Sequence, residues 1–439
     1  MNTDEREFIL GDIYQAASIC TFAATFIHRS VSGSMLKKLA YFILPFNILI
    51  DTLLLFSEQL SWLPFVRAGL LLALLLFVFF KHGQHVQNYS AMLLFVGYCL
   101  LQLFFVTDFN TSFNITLKVC LPIACFAMGY CLFNTVGELR KLSVSIIWVY
   151  LILIANFVLS QVFNLGQSVY SEDSNFRVGN LDDAWNIFTY SVLLAPMILF
   201  FAGETFTRRS STYVGAGLNA LLVVISIKRI AILGLVTGTA IRWAYGSPFK
   251  RILKSLVLLS AAVALAFPFF RDTIEKRLEA RSDRFESGAI EREGRFLESE
   301  YVWEGALSFD DPIRSLFGLE GFNSVGNYAD GRFGDRQLHV DFNLIVNTIG
   351  LVGLMLYFAM FIQFGRRMIL LQAKTTLAPQ VSLFLRSIFW MLLLNQFITS
   401  FAGQMYHVSY RLIVFVMLGA ILGTFKNSSH ARANRLQWK

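Results

Sequence analysis

The sequence predicts an all-helical membrane protein that crosses the bilayer about twelve times. Three observations carry this prediction. Of 439 residues, 56% are hydrophobic and only 15% are charged, where a soluble domain carries about 25% charge. The apolar residues gather into runs of about 20, the length a helix needs to span a membrane. The short loops between the runs alternate between basic and acidic, as loops on opposite sides of a membrane do.

In chain order the spans fall near 39–57, 64–80, 90–107, 113–133, 143–163, 186–203, 214–227, 229–245, 252–270, 339–363, 381–401 and 410–425. The segment 8–27 is interrupted by Asp12 and Gln15; it either lies along the membrane surface or adds a span. One set of loops holds Lys37 and Lys38, Lys81, Arg140 and Lys141, Arg208 and Arg209, Lys250 and Arg251, Arg366 and Arg367, and Lys426. Basic loops face the cytoplasm, so both ends of the 39–425 bundle are placed there. The intervening loops hold Glu58, Asp108, Glu172, Asp173, Asp182 and Asp183. The chain divides into a cytoplasmic or interfacial segment (1–38), a first bundle (39–270), a large extracytoplasmic loop (271–338), C-terminal spans (339–425) and a cytoplasmic tail (426–439). The first residues are acidic (Asp4, Glu5, Glu7), so no cleavable leader is expected.

The loop 271–338 reads as structured. Ile274, Leu278, Phe285, Ile290, Phe296, Leu297, Tyr301, Trp303 and Leu307 recur among charges at helical spacing, which suggests amphipathic helices lying on the bundle. Pro312, Gly318, Gly321, Gly326 and Gly331 mark turns after them.

Several classes of function are disfavoured. The net charge of +8 is a matter of membrane topology, so nucleic acid is not expected as a partner. The five cysteines fall in apolar stretches, which indicates neither a disulfide frame nor a metal knuckle. No HExxH, P-loop or CxxC is present, so neither metal nor cofactor is expected. No internal repeat is visible, which argues against a repeat-built transporter.

The candidate functional residues lie on the extracytoplasmic side. His339 opens a predicted helix, with Asn343 and Asn347 on the same face. Such a polar stripe either hydrogen-bonds between helices or lines a cavity. Gly350 and Gly353 are read as allowing close helix approach. Lys228 and Arg229 run against the positive-inside tendency; they either snorkel to lipid phosphates or hold a diphosphate, for which an arginine fork is suited. Arg177 sits in an acidic loop and either pairs locally or joins that site. Of the charges in 291–295, Arg295 is the candidate and the rest are read as solvating a helix face. Arg411 starts the last span, as a snorkelling anchor or a further site cation.

Four stretches together resemble the bacterial O-antigen polymerase and O-antigen ligase superfamily. They are Phe176-Arg177-Val178-Gly179-Asn180; Ser226-Ile227-Lys228-Arg229-Ile230-Ala231; Gly294-Arg295 with Trp303-Glu304-Gly305-Ala306-Leu307 and Leu316-Phe317-Gly318; and Leu338-His339-Val340-Asp341-Phe342-Asn343-Leu344 followed by Gly350 and Gly353. The likeness covers roughly 170–365. The chain departs from the family's pattern at Leu181-Asp182-Asp183, Lys228 and Glu320.

The resemblance implies a GT-C-like membrane glycosyltransferase in the bacterial inner membrane. It would move a glycan from undecaprenyl diphosphate to a sugar hydroxyl at the periplasmic face, without metal. His339 would be the base. Arg229, with Arg177 or Arg295, would hold the diphosphate, and Lys228 and Arg411 would assist. A polymerase reading is favoured, with membrane lipids and a chain-length regulator as further partners. The alternatives are a ligase delivering the glycan to lipid A-core, a lipid-linked oligosaccharide transporter, and a membrane scaffold.

Overall fold

The computed structural model describes residues 33–53, 62–164, 229–245, 257, 294–326, 328, 337–401, 403 and 405–437. Every regular element among them is a helix. The first group comprises α1 (Gly33–Leu53), α2 (Leu63–Val86), α3 (Ser90–Gln102), α4 (Phe109–Ala124), α5 (Phe126–Leu132), α6 (Val136–Phe163) and α7 (Arg229–Ala244). The second comprises α8 (Gly294–Ser308), α9 (Pro312–Phe317), α10 (Asp341–Gln372), α11 (Pro379–Thr399) and α12 (Val408–Gln437). The expected spans at 186–203, 214–227 and, apart from Val257, 252–270, and the segment 8–27, lie outside the described residues.

Six described stretches are long and apolar enough to cross a membrane, which makes the chain a helical multi-pass membrane protein. The first, Leu63–Gln102, runs 40 residues, twice what one crossing needs. It turns at the 3-10 segment Gln87–Tyr89, and its two arms run in opposite directions. Arg67 of α2 meets Asp51 at the end of α1. In α3, Ala91 N–H donates to Gln363 Oε1 at 3.1 Å, while Tyr98 Oη donates to the Ile349 carbonyl at 2.9 Å, so α3 lies antiparallel to α10.

Helix ends follow local chemistry. Thr135 caps α6, its Oγ1 accepting from Glu138 N–H at 3.2 Å. Asp311 caps α9 through Ile313 and Arg314 N–H, with Pro312 at the first helical position, where a missing N–H costs nothing.

The core is centred on α12, whose apolar window is wholly buried. Its tightest seam is with α5. A Cβ on Gly129 would strike the Val416 backbone, and Cβ atoms on Gly419 and Gly423 would strike the Phe126 and Tyr130 carbonyls. Three glycines on two helices thus bring the backbones into direct contact, the usual route to tight packing where lipid is as apolar as the side chains.

The sequence assigns close helix approach to Gly350 and Gly353; the structure shows it at Gly350, where the backbone of α9 meets α10, and gives Gly353 a different reason. Gly350 interrupts α10 with φ 70° and ψ −177°, a backbone that L side chains rarely adopt. The break exposes two carbonyls. Glu320 N–H takes that of Thr348 at 3.0 Å, and Tyr98 Oη takes that of Ile349. The end of α9 seats in the break, with the Leu316 carbonyl where a Cβ of residue 350 would be. Gly353 leaves room for the folded-over side chain of Ile349. Helix α9 and the turn after it are therefore docked onto the bundle through a built gap in α10.

Candidate functional site

His339 lies two residues before α10, whose N-cap is Val340. The sequence makes it the start of the helix; it instead belongs to the turn leading in, where its ring faces α8. Its Nδ1 lies 3.6 Å from Glu298 Oε1. Glu298 is 0% exposed, whereas the His339 side chain is 42% exposed. Nδ1 itself is buried, so the open part of the ring is its other edge. A half-open imidazole backed by a buried carboxylate is the arrangement that orients a base.

Asn343, one turn into α10, faces the same helix. It accepts from Trp303 Nε1 at 3.1 Å and donates to Ser299 Oγ at 2.7 Å. The polar stripe read from the sequence thus serves interhelical hydrogen bonding at Asn343, and it fixes α8 against the start of α10. Asn347 also engages a partner.

A second support comes from the turn between α11 and α12. Asp341 N–H donates to the Ser400 carbonyl at 2.9 Å, and Met405 N–H donates to Asp341 Oδ1 at 2.8 Å. Gly403, at φ +74°, presses on the His339 carbonyl. Tyr406 Oη donates to Gln337 Oε1 at 3.0 Å, two residues before His339. Burial, together with the Asp341 carboxylate, raises the Tyr406 phenol well above its ordinary value, so it stays a donor.

Arg411 departs from the expected snorkelling. It is 0% exposed and reaches neither lipid nor solvent. Nη1 donates to the carbonyls of Met405 at 2.8 Å and Val119 at 3.3 Å, and the guanidinium lies 5.5 Å from the centre of the Phe415 ring. The Met405 backbone therefore links Arg411 through its carbonyl to Asp341 through its N–H. Beneath this lies a buried pair between Arg67 and Asp51, with Ser409 donating to Asp51 and Asn47 to Ser409.

The other candidates are placed by backbone alone. Arg229 is the first residue of α7, which packs on α11, and Arg295 is the second of α8, one turn before Glu298. Arg177 and Lys228 lie outside the described residues.

Next to Asn343 opens a cleft of about 530 Å³, lined by Phe296, Trp303, Phe342, Phe358, Phe397 and Phe401 among others. It gives the site an apolar, aromatic flank beside a polar head. Glu298, Asp51 and Arg67 are the residues that sequence reasoning missed. Glu298 is hidden in a run of charges. The signal for the other two was an acid and a base inside adjoining apolar runs, expensive unless paired.

No protein-family model matches the chain, and no curated protein matches it.

Proposed function

We propose that the chain is a GT-C-like membrane glycosyltransferase of about twelve spans that polymerises lipid-linked sugar repeats at the outer face of a bacterial inner membrane. The observation that carries this reading is a half-open His339, backed by buried Glu298, beside an aromatic cleft. A substrate with a polar head and a hydrocarbon tail needs both surfaces adjacent.

The donor is a glycan on undecaprenyl diphosphate. The acceptor hydroxyl oxygen attacks the anomeric carbon, the bond from that carbon to the diphosphate oxygen breaks, and configuration inverts. His339 takes the hydroxyl proton, a step that contributes about 10²–10⁴-fold. Glu298, 3.6 Å from Nδ1, faces the cation as it forms. Arg229, with Arg177 or Arg295 and assisted by Lys228, neutralises the leaving diphosphate by charge-assisted hydrogen bonds. Arg411 acts through Met405 and Asp341, holding the turn that supports His339.

The test is the purified chain in lipid nanodiscs with undecaprenyl-diphosphate-linked repeats as sole substrate. New glycosidic bonds between repeats, with release of undecaprenyl diphosphate, are expected. Movement of intact substrate across the bilayer with no new bond would identify a transporter. Transfer only when lipid A-core is supplied would identify a ligase.

A further inference from the structure

The opposite end of α10 carries a second site. Beyond its break at Gly350, α10 continues to Gln372, and Arg367 near its end lies at the end of the bundle bearing the basic loops. A cavity of about 840 Å³ opens there between the ends of α2, α5, α10 and α12. Arg367, Lys374 and Lys426 line it, with His82 and His85. Among the described residues that line it, no Asp or Glu is present.

The walls are fixed by bonds between elements. Arg367 Nη2 donates to the Asn88 carbonyl at 3.1 Å, and Asn427 Nδ2 donates to the Asn134 carbonyl at 3.0 Å. Gln363 Nε2 donates to Ser90 Oγ at 3.2 Å. Lys426 Nζ sits 5.2 Å from the centre of the Tyr130 ring, which holds the ammonium at the wall. Three basic side chains around one cavity repel each other when charged, and a bound anion would offset that repulsion. The cavity has room for a group bearing two or more phosphates, and three basic side chains suit more negative charge than one phosphate carries.

We propose that this cavity binds a polyphosphorylated anion at the basic, cytoplasmic end of the bundle, independently of the chemistry at His339. The two sources of that chemistry are the headgroup of an anionic lipid carrying two phosphates and a soluble pyrophosphate or polyphosphate. Basic pockets between membrane helices on this side suit the first.

The experiment uses the full chain in phosphatidylcholine nanodiscs. One arm adds cardiolipin to the bilayer, and the other adds sodium pyrophosphate to the buffer. Binding is read as a saturable rise in the unfolding midpoint and as bound mass in native mass spectrometry. Lys374→Gln with Lys426→Gln should weaken binding by about fivefold per charge removed. Lys38→Gln with Lys141→Gln, basic residues of the same end outside the cavity, should leave it unchanged. Arg367 is left intact because it also ties α10 to Asn88. Saturation by cardiolipin alone assigns a lipid headgroup, and saturation by pyrophosphate assigns a soluble ligand. Binding of neither, or equal loss in the two double variants, overturns the proposal.

Discussion

Gly403→Ala tests how tightly the turn between α11 and α12 places His339. Gly403 has φ +74°, and a Cβ there would lie 2.6 Å from the His339 carbonyl carbon, under the 3.0 Å that real Cβ atoms keep. Two costs follow. The left-handed backbone costs about 1–2 kcal/mol for a residue with a Cβ. The larger effect is geometric, because the His339 carbonyl must retreat by on the order of 1 Å, and a misplacement of that size costs about 10²-fold in rate. The same peptide carries the imidazole, so its distance to Glu298 changes with it. The assay is repeat-unit transfer by purified protein, with kcat and KM measured separately and the unfolding midpoint measured alongside. The expected outcome is a kcat about 10²-fold lower, a modest change in KM and a midpoint lowered by a few degrees. An alanine variant with wild-type kcat would refute the claim that this contact sets the position of His339.

Three further outcomes are expected. Glu298→Gln should lower kcat by about tenfold or more with KM nearly unchanged, since Glu298 touches His339 and not the substrate; equal changes in KM and kcat would show a purely structural role. Arg67→Leu should destabilise by about 3–5 kcal/mol because Asp51 is left buried without its partner, and adding Asp51→Asn should recover part of the loss, as read from denaturation of the two variants. For Tyr406, the raised folded-state value means the unfolded chain releases its proton first. The stability difference between wild type and Tyr406→Phe should therefore hold steady at neutral pH and shrink only above about pH 10, a profile that denaturation across pH would check.

How much of this was legible in the sequence depends on whether the signal was local. The spans at 64–80, 90–107, 381–401 and 410–425 correspond to α2, α3, α11 and α12, because length and apolarity are properties of a single run. His339 was legible as a polar residue at the mouth of a span. Its partner Glu298 was not, because in Glu291–Glu300 every acid looks like part of a solvated face in the sequence, and it is the docking of α8 onto α10 that buries Glu298. Arg411 misled for the converse reason. A cation at a span start normally reaches water, but here the turn through Met405 folds over it and supplies one carbonyl, and Val119 of α4 supplies another. Gly350 and Gly353 stand out in the sequence, yet the backbone break at Gly350 depends on α9, which is distant in sequence. The small-residue seam of Gly129, Gly419 and Gly423 required knowing which two helices meet.

The central claim is that His339 removes the acceptor proton in a reaction joining lipid-linked sugar repeats. The most direct measurement is the profile of lipid-linked intermediates and surface polysaccharide in cells whose only copy carries His339→Ala. The account predicts undecaprenyl-diphosphate-linked single repeats and no polymer, with the variant present in the membrane at normal abundance. Polymer of ordinary length made by that variant would contradict it.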